Sequence, residues 1–227
     1  MKNGKTFYGQ VMVKGSGEEG KPCVISGYGT AGRPVINFGA AEGAGILLEN
    51  VSNWEVLGME VVSYEPYKIG IGRQGIVVRM TQGGTYNHFV IKDNYVHDVW
   101  GQLGGNGMYM GYNSSAILVH TARARAPQGT PMVAMEPIEI NDVLIEGNKI
   151  ERVDKCGVVC RGAKYNVVVR KNYMDNLGGD GIFVNGPYRG LIEYNEIHRS
   201  CMRSGSPYLP GDDGWWPHVA ACWIQNT

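Results

Sequence analysis

Three aspartates carry most of the acid chemistry that this sequence offers. Asp180 stands directly before Gly181, and Asp212 and Asp213 are adjacent in Gly211-Asp212-Asp213-Gly214, followed by Trp215, Trp216 and His218. Two carboxylates can share general acid and base duties, and a vicinal acidic pair can bind calcium through its oxygens. Gly-Asp-Asp-Gly is also the composition of a tight turn, so both readings stay open; the neighbouring tryptophans favour a site. Lys155 and Arg161 are the basic candidates, because neighbouring charges can depress a lysine pKa and make it a base. A further set, His97, Glu151, Asp175 and His198, falls at equivalent points of a repeat. Acid beside imidazole can transfer protons or hold a metal, while a column of that kind is equally the pattern of a solvated, charge-compensated face.

These residues need strands to position them, and the sequence repeats its strands. Gly-apolar-x-apolar recurs as Gly45-Ile46-Leu47-Leu48-Glu49, Gly75-Ile76-Val77-Val78-Arg79, Gly107-Met108-Tyr109-Met110-Gly111, Gly157-Val158-Val159-Cys160-Arg161 and Gly181-Ile182-Phe183-Val184-Asn185. A last copy, Ala221-Cys222-Trp223-Ile224-Gln225, has Ala in place of Gly. Each is short, alternates apolar positions and opens on a turn residue, which is how a half-buried strand reads. Between them runs apolar-x-x-Asn-x-apolar, with Asn94, Asn148, Asn172 and Asn195 at its centre. Asn tolerates a left-handed bend, and stacked Asn side chains can form a hydrogen-bonded ladder. One period then reads strand, Asn corner, strand, loop, Gly, strand, short turn, and a repeat too short to be a domain implies a solenoid.

The expected fold is all-β: a right-handed, single-stranded parallel β-helix over residues 1–227, with insertions at about 112–141 and 198–220. The chain resembles the pectate-lyase-like superfamily, in particular the β-helix proteins of carbohydrate-degrading bacteria. Lys21-Pro22-Cys23-Val24-Ile25-Ser26-Gly27-Tyr28-Gly29-Thr30, Pro34-Val35-Ile36 and Asn50-Val51-Ser52-Asn53-Trp54-Glu55-Val56 carry that resemblance alongside the repeats. It implies a protein acting on polysaccharide and secreted or periplasmic. It does not choose among the lyases, hydrolases, epimerases, esterases and non-enzymatic spikes built on this fold. Such proteins usually carry an earlier coil, often a capping helix and polar end caps, so the chain reads as a segment of a longer protein.

Lys+Arg and Asp+Glu are both 21, and zero net charge gives no support to nucleic-acid binding. No apolar run is long enough to span a membrane, and no signal peptide is visible. The 34 glycines are spread through turns and punctuate structure. The five cysteines have no metal spacing; Cys156 and Cys160 are the only close pair, while Cys160 and Cys222 fall at inward strand positions and read as small apolar residues.

Side chains alternate across a strand, and successive coils lie ~4.8 Å apart. With Ile46, Ile76, Met108, Val158, Ile182 and Cys222 inward, one outward column is Leu47, Val77, Tyr109, Val159, Phe183 and Trp223. The next is Glu49, Arg79, Gly111, Arg161, Asn185 and Gln225. Gln74, Asn106, Cys156 and Asp180 share the rim. Aromatic faces beside polar groups suit a sugar chain, so Tyr109, Phe183, Trp223, Asn185, Asn106, Arg79, Trp215 and Trp216 are the expected substrate-binding residues; the alternative is that the insertions cover the aromatics. Two chemistries fit. A hydrolase would pair Asp180 with Asp212 or Asp213 across the glycosidic bond. A β-eliminating lyase would use Lys155 or Arg161 as base, with calcium or cationic groups neutralising a uronate. No cofactor is required by the sequence; calcium, held by Asp212 and Asp213, is the one it leaves open. Acidic candidates outnumber well-placed basic ones, which favours the hydrolase. Asn-Thr-Asp, Gly-His-Gly, Arg-Ile-Lys and Asp-Pro-His-Asp runs are absent from the sequence, which argues against the polygalacturonase and epimerase families. A non-catalytic glycan-binding or adhesin module is the reading from a different class.

Overall fold

The computed structural model describes residues 1–65, 72–101, 114–121, 136–186, 189–202 and 221–225. Its strands form three parallel sheets that the chain visits in rotation, so each coil contributes one strand to each sheet. The first sheet follows the Asn corner: Thr6–Tyr8, Val35–Asn37, Glu60–Val62, Tyr95–Val99, Lys149–Val153, Tyr173–Leu177 and Glu196–His198. The second, the glycine sheet, holds Val11–Met12, Gly43–Glu49, Arg73–Met80, Ile117–Thr121, Val158–Arg161, Ile182–Asn185 and Cys222–Gln225. Cys23–Ser26, Trp54–Leu57, Gly84–Lys92, Ile138–Glu146, Ala163–Arg170 and Gly190–Glu193 make the third. This is the parallel β-helix that the repeat predicts. No helix of the described residues is long and apolar enough to cross a membrane.

The core is a stack of equivalent apolar residues. Ile46, Ile76, Ile117, Val158 and Ile182 pair in register along the glycine sheet and are all buried. Leu48, Val78, Val119, Cys160 and Val184 form the next inward column of the same cluster. Each buried side chain of this size contributes about 1.5–3 kcal/mol, and a repeat of identical layers multiplies that term.

The Asn corners form a continuous ladder. Asn94 Nδ2 donates to Asn148 Oδ1 at 3.0 Å, Asn148 Nδ2 to Asn172 Oδ1 at 2.9 Å, and Asn172 Nδ2 to Asn195 Oδ1 at 2.9 Å. The second hydrogen of each of these amides, and of Asn195, goes to a backbone carbonyl: Val56, Ile91, Ile145 and Val169 in turn. The left-handed bend itself is made elsewhere. Gly58, Asp93, Gly147, Lys171 and Tyr194, each the residue before the ladder position, have positive φ. The asparagine is therefore selected for its amide, which caps the turn and reaches the next coil, rather than for its backbone freedom.

The repeating glycine also has a different cause from the expected one. Gly45, Gly75, Gly157 and Gly181 are not at positive φ; a Cβ on them would lie 2.4–2.7 Å from Val61 Cγ1, Val96 Cγ1, Met174 Sδ and Ile197 side-chain carbons of the facing sheet, or as close to a neighbouring carbonyl. These glycines are small because the corner closes onto the core.

One coil lacks that glycine. Between Arg73–Met80 and Val158–Arg161 the glycine sheet contains Ile117–Thr121, with Ile117 opposite Ile76 and Val158. The slot expected for Gly107-Met108-Tyr109-Met110-Gly111 is thus filled by Ala116-Ile117-Leu118-Val119-His120. Ala116 is fully buried, so the corner of this coil admits a Cβ that the glycine coils exclude, and Ile and Val suit a strand. Residues 107–111 lie outside the described residues. The expected insertion at 112–141 accordingly contains a core strand and the start of Ile138–Glu146.

Candidate functional site

The outer face of the glycine sheet carries three columns. The rim is Ala44, Gln74, Ser115, Cys156 and Asp180, linked coil to coil by backbone hydrogen bonds such as Gly75 N–H to Ser115 O and Gly157 N–H to Asp180 O. Ser115 holds the place expected for Asn106, which lies outside the described residues. The middle column, Leu47, Val77, Leu118, Val159 and Phe183, packs into a cluster with Ala44 and Cys156. Phe183 points outward as expected, yet it is 3% exposed, so it presents no open face for stacking. Trp223 is in register with Phe183 through the backbone; Tyr109, Trp215 and Trp216 are outside the described residues.

The third column is polar: Glu49, Arg79, His120, Arg161 and Asn185, each in register with the next. Arg79 Nε donates to Glu49 Oε1 at 2.9 Å. His120 is the residue that sequence reasoning missed, because the Tyr109 strand was assigned its layer and put Gly111 there. Allowing Ala for Gly, as in the Ala221 copy, would have found it. Burial, then the Arg79 and Arg161 charges, push its imidazole down from 6.5 to about 4, with Glu49 opposing.

Asp180 sits at the opposite edge of this face and is 4% exposed. The Cys156 thiol donates weakly to Asp180 Oδ2 at 3.9 Å. Burial, followed by the Asp180 charge, pushes that thiol up to about 12, so Cys156 is a protonated neighbour rather than a nucleophile. Lys155 and Asp180 both act electrostatically on Cys156 and Cys201, which gathers these four at one corner, with the Lys155 stem against Gly179. Arg161 is not among them: it ends the strand Val158–Arg161, roughly 10 Å at strand rise from the residue that opens it, and Cys156 lies before that strand. The structure brings Asp180 and Lys155 together and sets Arg79, Arg161 and Asn185 along the far edge. Cys156 and Cys160 belong to clusters on opposite faces of the sheet, and both are free thiols. Cys222, by contrast, is exposed. Asp212 and Asp213 lie outside the described residues, and no group of three or more His, Cys, Asp or Glu side chains among the described residues is arranged to hold a metal.

His97 belongs to another face. His97, Glu151, Asp175 and His198 do stack in register as expected, on the sheet after the Asn corner. Their partners make the column a closed ion network. His97 is 5% exposed, with Nδ1 2.6 Å from Asp98 Oδ2 and Nε2 3.3 Å from Glu60 Oε1. Its ring stacks on Tyr95 at 3.9 Å. Arg152 clamps Asp98 with Nε and Nη2, both at 2.8 Å, and donates to Glu151 at 3.2 Å; the Tyr95 hydroxyl donates to Glu151 at 2.6 Å. Asp98 and Arg152, like Asn176 and Arg199 in later coils, sit at positive φ, and the pairing passes from His97–Glu151 to Val99–Val153 with one residue skipped on each strand. Asp98 and Arg152 bond each other beside the column, and arginine does not announce a left-handed backbone. Each group of the network already has its partner, which favours the charge-compensated reading of His97.

A pH dependence follows. The His120 imidazole is held below its unfolded value, so the unfolded chain takes up the proton first and stability falls as pH drops from 6.5 towards about 4. The size is on the order of 2 kcal/mol after allowing for solvent screening. The carboxylates add a second phase. Burial alone would raise Asp98 and Glu151, but hydrogen bonds from Arg152 and His97, and from Tyr95 and Lys149, hold both below the usual range; Arg199 does the same for Asp175. Their stabilisation is complete above the ordinary carboxylate pKa and lost as pH falls through the depressed values. Denaturation of wild type and His120→Ala across pH should show two steps in the first protein and only the acidic step in the second.

The described geometry agrees with comparison to known proteins. A family model for a right handed beta helix region matches residues 44–209. A lacto-N-biosidase of family GH136 from Eubacterium ramulus superposes in its native form with a TM-score of 0.77 at 18% identity, and as its selenomethionine derivative with 0.76 at 19%. Each match covers 99% of this chain and 43% of the other, so the chain spans less than half the length of that enzyme. An alginate lyase from Paenibacillus sp. str. FPU-7 aligns at 14% identity over 100% of this chain and 89% of its own, with a TM-score of 0.31 that carries no inference. No curated protein matches the sequence significantly. With the family model matching well over half its length and three parallel sheets stacked coil on coil, the chain belongs to the right-handed β-helix family.

Proposed function

We propose that this chain is part of a carbohydrate-active enzyme that binds a polysaccharide or oligosaccharide along the outer face of the glycine sheet and cleaves it as a glycoside hydrolase. The observation that carries this reading is Asp180: a carboxylate only 4% exposed at the rim of that face, across the sheet from a row of polar side chains repeating once per coil. A carboxyl held at the rim of a groove is placed to give or take a proton. Asp212 or Asp213, from the second insertion, is the proposed second carboxylate, and Tyr109, Asn106, Trp215, Trp216 and Trp223 are proposed sugar contacts. The GH136 enzyme sharing this fold over nearly the whole chain is in keeping with a hydrolase.

The competing chemistry is β-elimination on a uronate polymer, which the two cations of the polar row, Arg79 and Arg161, would support. The separation of Lys155 from Arg161 counts against their acting together on one sugar. If calcium participates, Asp212 and Asp213 are its proposed ligands. A secreted or periplasmic location belongs to the same proposal.

The test is a panel of neutral and acidic polysaccharides, with oligosaccharides carrying lacto-N-biose, incubated with the intact protein with and without a chelator. Reducing ends and the ultraviolet absorbance of unsaturated uronate are followed in parallel. The expected result is reducing ends without new absorbance. New absorbance would make it a lyase. Binding without either signal would make it a glycan-binding module.

A further inference from the structure

His120 has surroundings that suit a ligand better than a structural role. It lies in register between Arg79 and Arg161 on the outer face, half-buried, and neither ring nitrogen is hydrogen-bonded to any described residue. Neither ring nitrogen is among the buried polar atoms left without a partner, so the nitrogens reach solvent, where a ligand laid along this face can meet them. His97 shows the opposite case in this same chain, with a carboxylate against each ring nitrogen. His120 lacks such carboxylates. Its nearest in-register neighbours are arginines, which can only donate and whose charge opposes protonation of the ring. The nearest carboxylate, Glu49, is one coil further and is taken by Arg79 at 2.9 Å. The ring therefore stays neutral above about pH 4, and a neutral imidazole offers one donor and one acceptor. A hydroxyl group is both as well, so it can answer either nitrogen.

We propose that His120 contacts the ligand, exchanging a hydrogen bond with a sugar hydroxyl between Arg79 and Arg161, and that it makes the site specific for a glycan with a free hydroxyl there. The inference rests on the glycan-binding reading of this face. A site that hydrogen-bonds a substrate hydroxyl rejects the analogue lacking it, since the protein group is then left buried and unpaired.

The experiment compares wild type, His120→Ala and His120→Gln in the intact protein. Affinity electrophoresis uses soluble arabinoxylan, galactan, polygalacturonate and alginate at neutral pH, with thermal melting in parallel. For a polymer that wild type binds, His120→Ala should bind about ten-fold more weakly or worse at an unchanged Tm. His120→Gln, which keeps a donor and an acceptor, should recover part of the loss. Equal binding by His120→Ala overturns the proposal and leaves the glycan reading standing. A loss that tracks a lowered Tm in both variants also overturns it, because His120 would then be structural. Wild type that retains none of the polymers overturns the glycan reading, and the role of His120 falls with it.

Discussion

Asn148→Ala is expected to destabilise the protein by about 4 kcal/mol, while Asn195→Ala costs about 1–2 kcal/mol. Asn148 is 1% exposed and sits inside the ladder. Its Oδ1 accepts from the backbone N–H and from the side-chain amide of Asn94, both at 3.0 Å, and its Nδ2 donates to Ile91 O and Asn172 Oδ1, both at 2.9 Å. Alanine removes all four bonds and fills none of the space. Two of the groups left behind keep a partner: Asn94 Nδ2 still reaches Val56 O, and Asn172 Oδ1 still accepts Asn148 N–H. The Asn94 N–H and the Ile91 carbonyl lose their ladder partner between buried coils, at about 1–3 kcal/mol for each unsatisfied group. Asn195 is only part-buried, so solvent can replace some of what its removal deletes. Equilibrium urea unfolding of both variants measures the difference. Equal costs, or a cost below about 1 kcal/mol at Asn148, would mean that the ladder merely accompanies the fold and that the apolar stack sets its stability.

The ladder, the sheet order and the column on the sheet after the corner were legible because each depends on a local pattern repeated at constant spacing. Alternation assigns a face, the corner Asn marks the register, and stacking does the rest. The same logic put His97 opposite Glu151, and Glu151 opposite Asp175. It failed where identity and geometry part. Gly45, Gly75, Gly157 and Gly181 repeat because a Cβ would strike the facing sheet, but in one coil Ala116 stands in the same place, so a search keyed on glycine skipped that coil and lost His120. The left-handed backbone at Asp98 and Arg152 was invisible too: aspartate merely tolerates it, and arginine does not signal it. The partners that close the His97 network, Glu60, Asp98 and Arg152, come from three coils, and no linear pattern joins them. Of the expected outward column, Leu47, Val77, Val159 and Phe183 share one apolar cluster, with Leu118 where Tyr109 was expected. Its burial depends on what folds over it, which alternation along a strand does not encode.

Asp180→Asn is expected to lower turnover about 10²–10⁴-fold, the usual worth of a positioned acid or base, with little change in Tm. Asparagine keeps the shape of the aspartate and can still accept from the Cys156 thiol, so the rim should hold. It cannot give or take the proton. Asp180→Ala should lose as much activity and some stability, because Asp180 is buried against Cys156. Asp98→Asn is the informative counterpart. Asp98 is clamped by Arg152 at 2.8 Å through two nitrogens and lies 2.6 Å from His97, on a different sheet from the proposed groove. Neutralising it breaks the stronger ion network and should lower Tm by several degrees while each folded molecule turns over as before. If Asp180→Asn retains full turnover, the buried rim carboxylate is a packing partner of Cys156, and the reaction must be carried by Asp212 and Asp213 or by groups elsewhere. If Asp98→Asn instead abolishes turnover at an unchanged Tm, the chemistry belongs to the sheet after the Asn corner, and His97 regains the catalytic role that its closed network argues against.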